Sequence, residues 1–241
     1  MLERVDAAAV VQVYADAFST RPLKDRILMW HLAQAAIAGR DIFYDQESAH
    51  ALEMRELVEA VVSHPGSTDA ATLGAIERYA KLFWINSGPY NNLTTRKFVL
   101  HCVPEVFRAA VKGAVAAGAE LPLAPGETAD QLLDRLQPMF FDPTFAPSVT
   151  TKTPPRGEDI LTASFNNMYA NVALSDLQGF QEKHRLNSRL VKRDGRLVEE
   201  VYRVGGRYDP QIRAIIGHLE AAKPYATEPM AKAIDALIVW Y

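Results

Sequence analysis

Ser188-Arg189-Leu190-Val191-Lys192-Arg193-Asp194-Gly195-Arg196-Leu197-Val198-Glu199-Glu200-Val201-Tyr202-Arg203-Val204-Gly205-Gly206 is the stretch that decides the fold class. Two runs carrying β-branched residues flank Asp194-Gly195. A type I′ turn needs positive φ at both central residues, and Asp-Gly is a strong short-range signal for it. Counting outward from a two-residue turn sets Arg193 opposite Arg196 and Val191 opposite Val198. It also sets Arg189 opposite Glu200, an attractive cross-strand pair.

Downstream of this hairpin, Asp209-Pro210 reads as a helix entry, because proline is tolerated in a first turn. Ile212, Ile215, Ile216 and Leu219 then form an apolar stripe. A last helix starts near Glu228-Pro229, carries Met230, Ile234, Leu237 and Ile238, and reaches Trp240 and Tyr241. No Gly, Asn or Pro follows to close it, which predicts a chain cut from something longer. Upstream, residues 138–155 hold five prolines and little periodicity. That segment reads as irregular and as a subdomain boundary, with Met139, Phe140, Phe141 and Phe145 seeking burial. The first half is helical in pattern. Helices are expected over residues 7–18, 23–37, 48–62, 68–84, 105–119 and 128–136. The second carries Leu23, Ile27, Trp30 and Ile37 at near-helical spacing, with Gly39 as its stop. Thr128 is the N-cap expected for the last. The fold class is therefore α+β, mostly helical, with a small antiparallel sheet or barrel element in the C-terminal third. A helical region covers residues 1–137, and residues 138–241 hold the irregular segment, the hairpin and the C-terminal helices.

A chain of 241 residues allows one large domain or two small ones, and 49% hydrophobic residues suffice for a core. The net charge of −3 argues against a nucleic-acid partner, which would favour a basic excess. No apolar run approaches the length of a signal-peptide core or a membrane span. A soluble, cytoplasmic chain with no membrane partner is expected. Cys102 is the single cysteine, so no intrachain disulfide forms.

The usual signatures of chemistry are missing from the sequence. A helical zinc site needs two histidines one turn apart. His31, His50, His64, His101, His184 and His218 are all too widely spaced. There is no Gly-x-Ser-x-Gly elbow, and neither Gly88 nor Gly205-Gly206 matches a phosphate-binding fingerprint. Glu199 and Glu200 read as a solvated face of a strand. The most suggestive feature is the polar loop Asn86-Ser87-Gly88-Pro89-Tyr90-Asn91-Asn92-Leu93-Thr94-Thr95-Arg96-Lys97-Phe98. Its amides, hydroxyls and cations suit peptide backbone groups or a carboxylate. An ordinary surface loop with turn-forming Asn and Gly is the other reading.

Taken together, several segments resemble the dipeptidyl-peptidase III family. Ala35-Ala36-Ile37-Ala38-Gly39-Arg40-Asp41-Ile42-Phe43-Tyr44-Asp45-Gln46 is similar to the family's early Gly-Arg-Asp-Ile helix end. Trp84-Ile85-Asn86-Ser87-Gly88, with Lys97-Phe98 beyond, resembles its tryptophan-and-glycine loop. The stretch from Leu186-Asn187 to Gly205-Gly206 resembles its hairpin, and residues 231–241 resemble a helix that runs on in the family. The resemblance implies a two-lobed fold with a wide cleft, in which a lobe with a small β-barrel helps bind peptide. It implies a zinc metallopeptidase that removes dipeptides from the N-termini of short peptides. The family's zinc motif, His-Glu-x-x-x-His with a later Glu, follows the part represented here, and nothing in this sequence matches it. The zinc and the activity are thus implied for a full-length enzyme with a C-terminal catalytic region missing from this chain, which alone is expected to bind no metal and to be inactive. The cleft-lining residues implied here are Asn91, Asn92, Leu93, Thr94 and Lys97. Pro89-Tyr90-Asn91-Asn92-Leu93 departs from the often His-rich pattern of bacterial relatives. The alternative is a non-catalytic peptide- or protein-binding module of the same fold.

Overall fold

The computed structural model describes residues 1–184 and 186–241. The chain forms two compact units, one of residues 1–10 and 44–167, the other of residues 11–43 and 168–241. The architecture is α+β, with no closed barrel among the described residues.

The first unit begins with a hairpin of β1 (Glu3–Val5) and β2 (Ala8–Val10), paired Val5 to Ala8. This corrects the helix expected over residues 7–18; the one helix there is a single turn, α1 (Asp16–Ser19), in the second unit. Alanine favours helix locally, but only by tenths of a kcal/mol per residue over most alternatives. Three tertiary interactions outweigh it. Val5 is buried, Lys81 donates to Glu3 at 2.6 Å, and Arg78 pairs with Asp6 at the turn, where Asp6 has φ 52°.

Four helices make the body of this unit: α4 (Ala51–Ser63), α5 (Ala70–Asn86), α6 (Pro104–Ala116) and α7 (Ala129–Phe141). The α5 entry is capped by Asp69, which accepts from the amides of Ala71 and Thr72. Thr128 caps α7, as the sequence suggested, and Gln131 completes a capping box with it. Met54, Leu57, Ile76, Phe83, Phe107 and Phe140 are fully buried between these helices. The α7 helix runs three residues past Pro138, where an irregular segment was expected. An interior proline costs about 3 kcal/mol. Met139 and Phe140, both buried on the core, each return about 1.5–3 kcal/mol. Together they match or exceed the proline's cost, so the helix continues.

In the second unit, α2 (Leu23–Ala38) packs on α8 (Asp209–Ala222), and α9 (Glu228–Trp240) adds to the same cluster. Ala35, Ile212, Ile215, Leu219 and Ile234 are its buried centre. Ile212, Ile215 and Leu219 thus take the places read from the sequence. The α2 stripe does not: Leu23, Trp30 and Ile37 are exposed, and the packed face is instead Leu28, Leu32 and Ala35. The helix ends at Gly39 as expected, and α3 (Arg40–Glu47) starts immediately after.

The hairpin of β4 (Ser188–Arg193) and β5 (Arg196–Val201) has the expected register, with Arg193 opposite Arg196, Val191 opposite Val198 and Arg189 opposite Glu200. Asp194 and Gly195 have φ 49° and 74°. A short parallel strand, β3 (Tyr169–Ala170), extends the hairpin to a three-stranded mixed sheet. Glu199 and Glu200 are not a solvated face. Glu199 accepts from the backbone amides of Lys183 and His184 and from the Ser188 hydroxyl. Glu200 gathers Arg189 at 2.7 Å, Arg207 at 3.5 Å and Arg193. At the end of α9, the Trp240 carbonyl accepts from Asn187 and the Tyr241 carbonyl from the Val204 amide. The sequence pattern had left those carbonyls without partners.

Candidate functional site

The polar loop after α5 is built by its own side chains. Ser87 ends the helix in the left-handed conformation at φ 58°. Asn86 donates back to the Leu82 carbonyl at 2.8 Å, and its side-chain oxygen accepts from the Asn92 amide at 3.0 Å. Asn91 accepts from the amides of Leu93 and Thr94, both at 2.9 Å, an Asx-type turn. The loop then pairs with itself, Tyr90 against Lys97, and with residues 147–149, Arg96 against Ser148. The Lys97 amide donates to the Pro147 carbonyl, and the Val149 amide to the Thr95 carbonyl. Two stretches 50 residues apart are thereby fixed side by side.

Between them lies an open groove of about 630 Å³. Residues 94–97 form one wall; Pro143, Pro147, Ser148 and residues 150–153 form the rest. The Thr95 and Ser148 hydroxyls bridge the walls at 2.9 Å. Lys97 reaches the carbonyls of Pro138, at 3.1 Å, and Phe145, and lies over the Phe145 ring. Burial pulls its ammonium down to about 8, against a smaller opposing pull from Asp142. Its amine works as an anchor that ties the loop to the α7 end.

Of the residues implied by the sequence, Thr94 and Lys97 line this groove. Asn91, Asn92 and Leu93 are not among its lining residues. Asn91 is committed to its turn, the Asn92 amide is held by Asn86, and Leu93 is 93% exposed. The wall that sequence reasoning missed is Ser148 with Thr150-Thr151-Lys152-Thr153. Its signal was a run of hydroxyl residues inside the proline-rich segment.

A second polar feature lies under the same loop. Glu47, at the end of α3, has one carboxylate oxygen buried with no hydrogen-bond partner. Burial pushes its carboxyl up to about 8. The carboxylate lies against Gly88. Tyr90, fully buried, donates to the Ala146 carbonyl at 3.1 Å, and its phenol is pushed up by burial and then by Glu47.

Among the described residues no group of three or more His, Cys, Asp and Glu side chains is gathered for a metal. His31 on α2 and His218 on α8 do meet, Nδ1 to Nδ1 at 3.4 Å, beside Trp30, but as a pair. Cys102 is half-buried, and burial pushes its thiol up, away from nucleophilic use. No described helix is long and apolar enough to cross a membrane.

The molecule is thus an α+β chain of two units, one of which carries a hydroxyl-rich, cation-bearing groove. No family model matches it, and no curated protein matches it. Among solved structures, DPP III from Caldithrix abyssi is similar over 93% of this chain and 32% of its own, with a TM-score of 0.48 and 16% identity. The chain spans about a third of the length of that protein.

Proposed function

We propose that this chain is the peptide-holding part of a dipeptidyl-peptidase III-like zinc exopeptidase, one that removes dipeptides from the N-termini of short peptides. The observation that carries the reading is the groove between residues 94–97 and 150–153. It lies on the loop whose sequence resembles the family's tryptophan-and-glycine loop, and it includes Thr94 and Lys97. Its volume suits a short peptide. Its hydroxyls both donate and accept, which an extended backbone requires. In this reading the zinc and its general base would reside in further sequence of the whole protein. This chain's part is to bind and align the peptide, which lowers the entropic cost of the reaction carried out elsewhere.

Titration calorimetry of the 241-residue chain with free-amine pentapeptides tests this directly. Saturable binding is expected, weakened several-fold in Thr94→Val and Thr150→Val, whose exposed side chains leave the fold intact. No heat of binding with any peptide, up to millimolar concentration, would remove the proposal.

A further inference from the structure

The groove is charged in one direction. Arg96 and Lys152 line it, both exposed, and neither side chain has an ion-pair or hydrogen-bond partner among the described residues. Lys97 adds a third cation, its ammonium already engaged with two carbonyls. No Asp or Glu lines the groove. Asp142, next to Pro143, is committed to its own turn, accepting from the Thr144 amide and hydroxyl at 2.7 Å and from the Phe145 amide at 3.3 Å. The chain as a whole carries a net charge of −3, so this concentration of cations runs against the average. The hydroxyls divide in the same way. Those of Thr95, Ser148 and Thr151 bond within the protein, whereas those of Thr94, Thr150 and Thr153 have no partner among the described residues. Two cations and three hydroxyls around one concavity, none of them spent on a partner among the described residues, are thus open to an acceptor from a ligand.

We infer that the groove selects peptides carrying an acidic side chain, with Arg96 and Lys152 taking the carboxylate and Thr94, Thr150 and Thr153 its neighbouring polar groups. This rests on the peptide-binding reading above and adds a specificity to it. A guanidinium presents two parallel donors to a carboxylate, which gives direction as well as charge. At this exposed site the gain is of the order of a single surface ion pair, roughly fivefold in affinity at low salt. Residues 150–153 also present Lys152 on a segment fixed by the Thr151 amide, which donates to Ser164 at 3.0 Å. That wall is held in place before any ligand arrives.

The test uses the full chain and pentaalanine peptides in which one Glu is walked through each position, each matched against its Gln counterpart. At least one Glu peptide should bind about fivefold tighter than its Gln partner at low salt. Raising the salt to roughly 0.15 M, where charges are screened beyond about 8 Å, should shrink that ratio. In Arg96→Gln and Lys152→Gln, checked for unchanged melting, the ratio of Glu-peptide to Gln-peptide affinity should fall towards one. Equal affinities at every position would overturn the inference and leave the peptide-binding reading standing. Failure of every peptide, Glu and Gln alike, would overturn both.

Discussion

The carboxylate of Glu47 occupies the space in which a side chain on Gly88 would begin. A Cβ built on Gly88 would come within 2.7 Å of Glu47 Cδ and closer still to Oε2. Real Cβ atoms do not approach another carbon so closely, so one of the two must move. Gly88→Ala is therefore expected to destabilise the chain by about 1–3 kcal/mol. Glu47→Ala in the same chain should recover much of that loss. A double-mutant cycle read by urea denaturation measures the coupling, and additive effects would show that the two residues do not share this space.

Glu47 also sets a pH dependence. Its carboxyl is raised by burial from 4.5 to about 8, so between those values the folded chain holds a proton that the unfolded chain has released. The folded state binds more protons, and stability therefore falls as pH rises through that window. The steepest contribution is roughly 1.4 kcal/mol per pH unit. Glu47→Gln should flatten this slope between about pH 5 and 8. Melting curves of the two proteins across that range check it, and parallel profiles would count against a buried carboxylic acid at this position.

Gly195 sits at φ 74° in the turn of the β4–β5 hairpin. A β-branched residue tolerates that conformation poorly. Gly195→Val should cost roughly 1 kcal/mol or more, whereas Gly195→Asn should cost less, since Asn enters this region readily. Thermal unfolding distinguishes the two, and an unchanged melting temperature for the valine variant would be inconsistent with the turn.

Glu200 and Arg189 each have less than a sixth of the side chain exposed, at 13% and 12%. Arg193 and Arg207 reach the same carboxylate. Removing it takes away a charge-assisted hydrogen bond from a largely buried guanidinium and a pairing site shared by two more. Glu200→Ala should therefore destabilise the sheet by about 1–3 kcal/mol, more than Arg193→Ala, which takes away one exposed partner of three. Hydrogen exchange at the β4 amides would show whether the loss is local to the sheet.

What could be read from the sequence divides along a physical line. The β4–β5 hairpin was legible to the residue because its determinant, Asp194-Gly195, is local. So was the Thr128 cap, whose partner Gln131 is three residues away. The β1–β2 hairpin was not, because Arg78 and Lys81, far along the chain, hold it against the helix preference of its alanines. Nor was the course of α7 through Pro138, which depends on where Met139 and Phe140 are buried. The α2 stripe of Leu23, Trp30 and Ile37 has helical spacing but faces outward; which side of a helix meets α8 is a tertiary fact. At the groove, composition pointed to the loop that supplies Thr94, Arg96 and Lys97. The opposing wall, Ser148 and residues 150–153, became visible only once the Arg96–Ser148 bridge joined the two segments.

The order in which a ribosome releases this chain makes the pairing of α2 with α8 a matter of waiting. Ala38 ends one helix and Asp209 begins the other, 171 residues later. At about 5–20 residues per second, α2 spends on the order of ten seconds or more without the surface it folds against. A 16-residue helix is marginal alone in water, and Leu28, Leu32 and Ala35 have no cluster to join until α8 emerges. The first unit, whose last residue is Asn167, can close during that interval. Nascent chains stalled far enough beyond residue 167 for it to clear the ribosome, with α8 still unexposed, should therefore protect α4 to α7 from protease while leaving α2 open to cleavage. The late arrival of α8 makes the second unit the part of the molecule whose assembly waits on residues far along the chain.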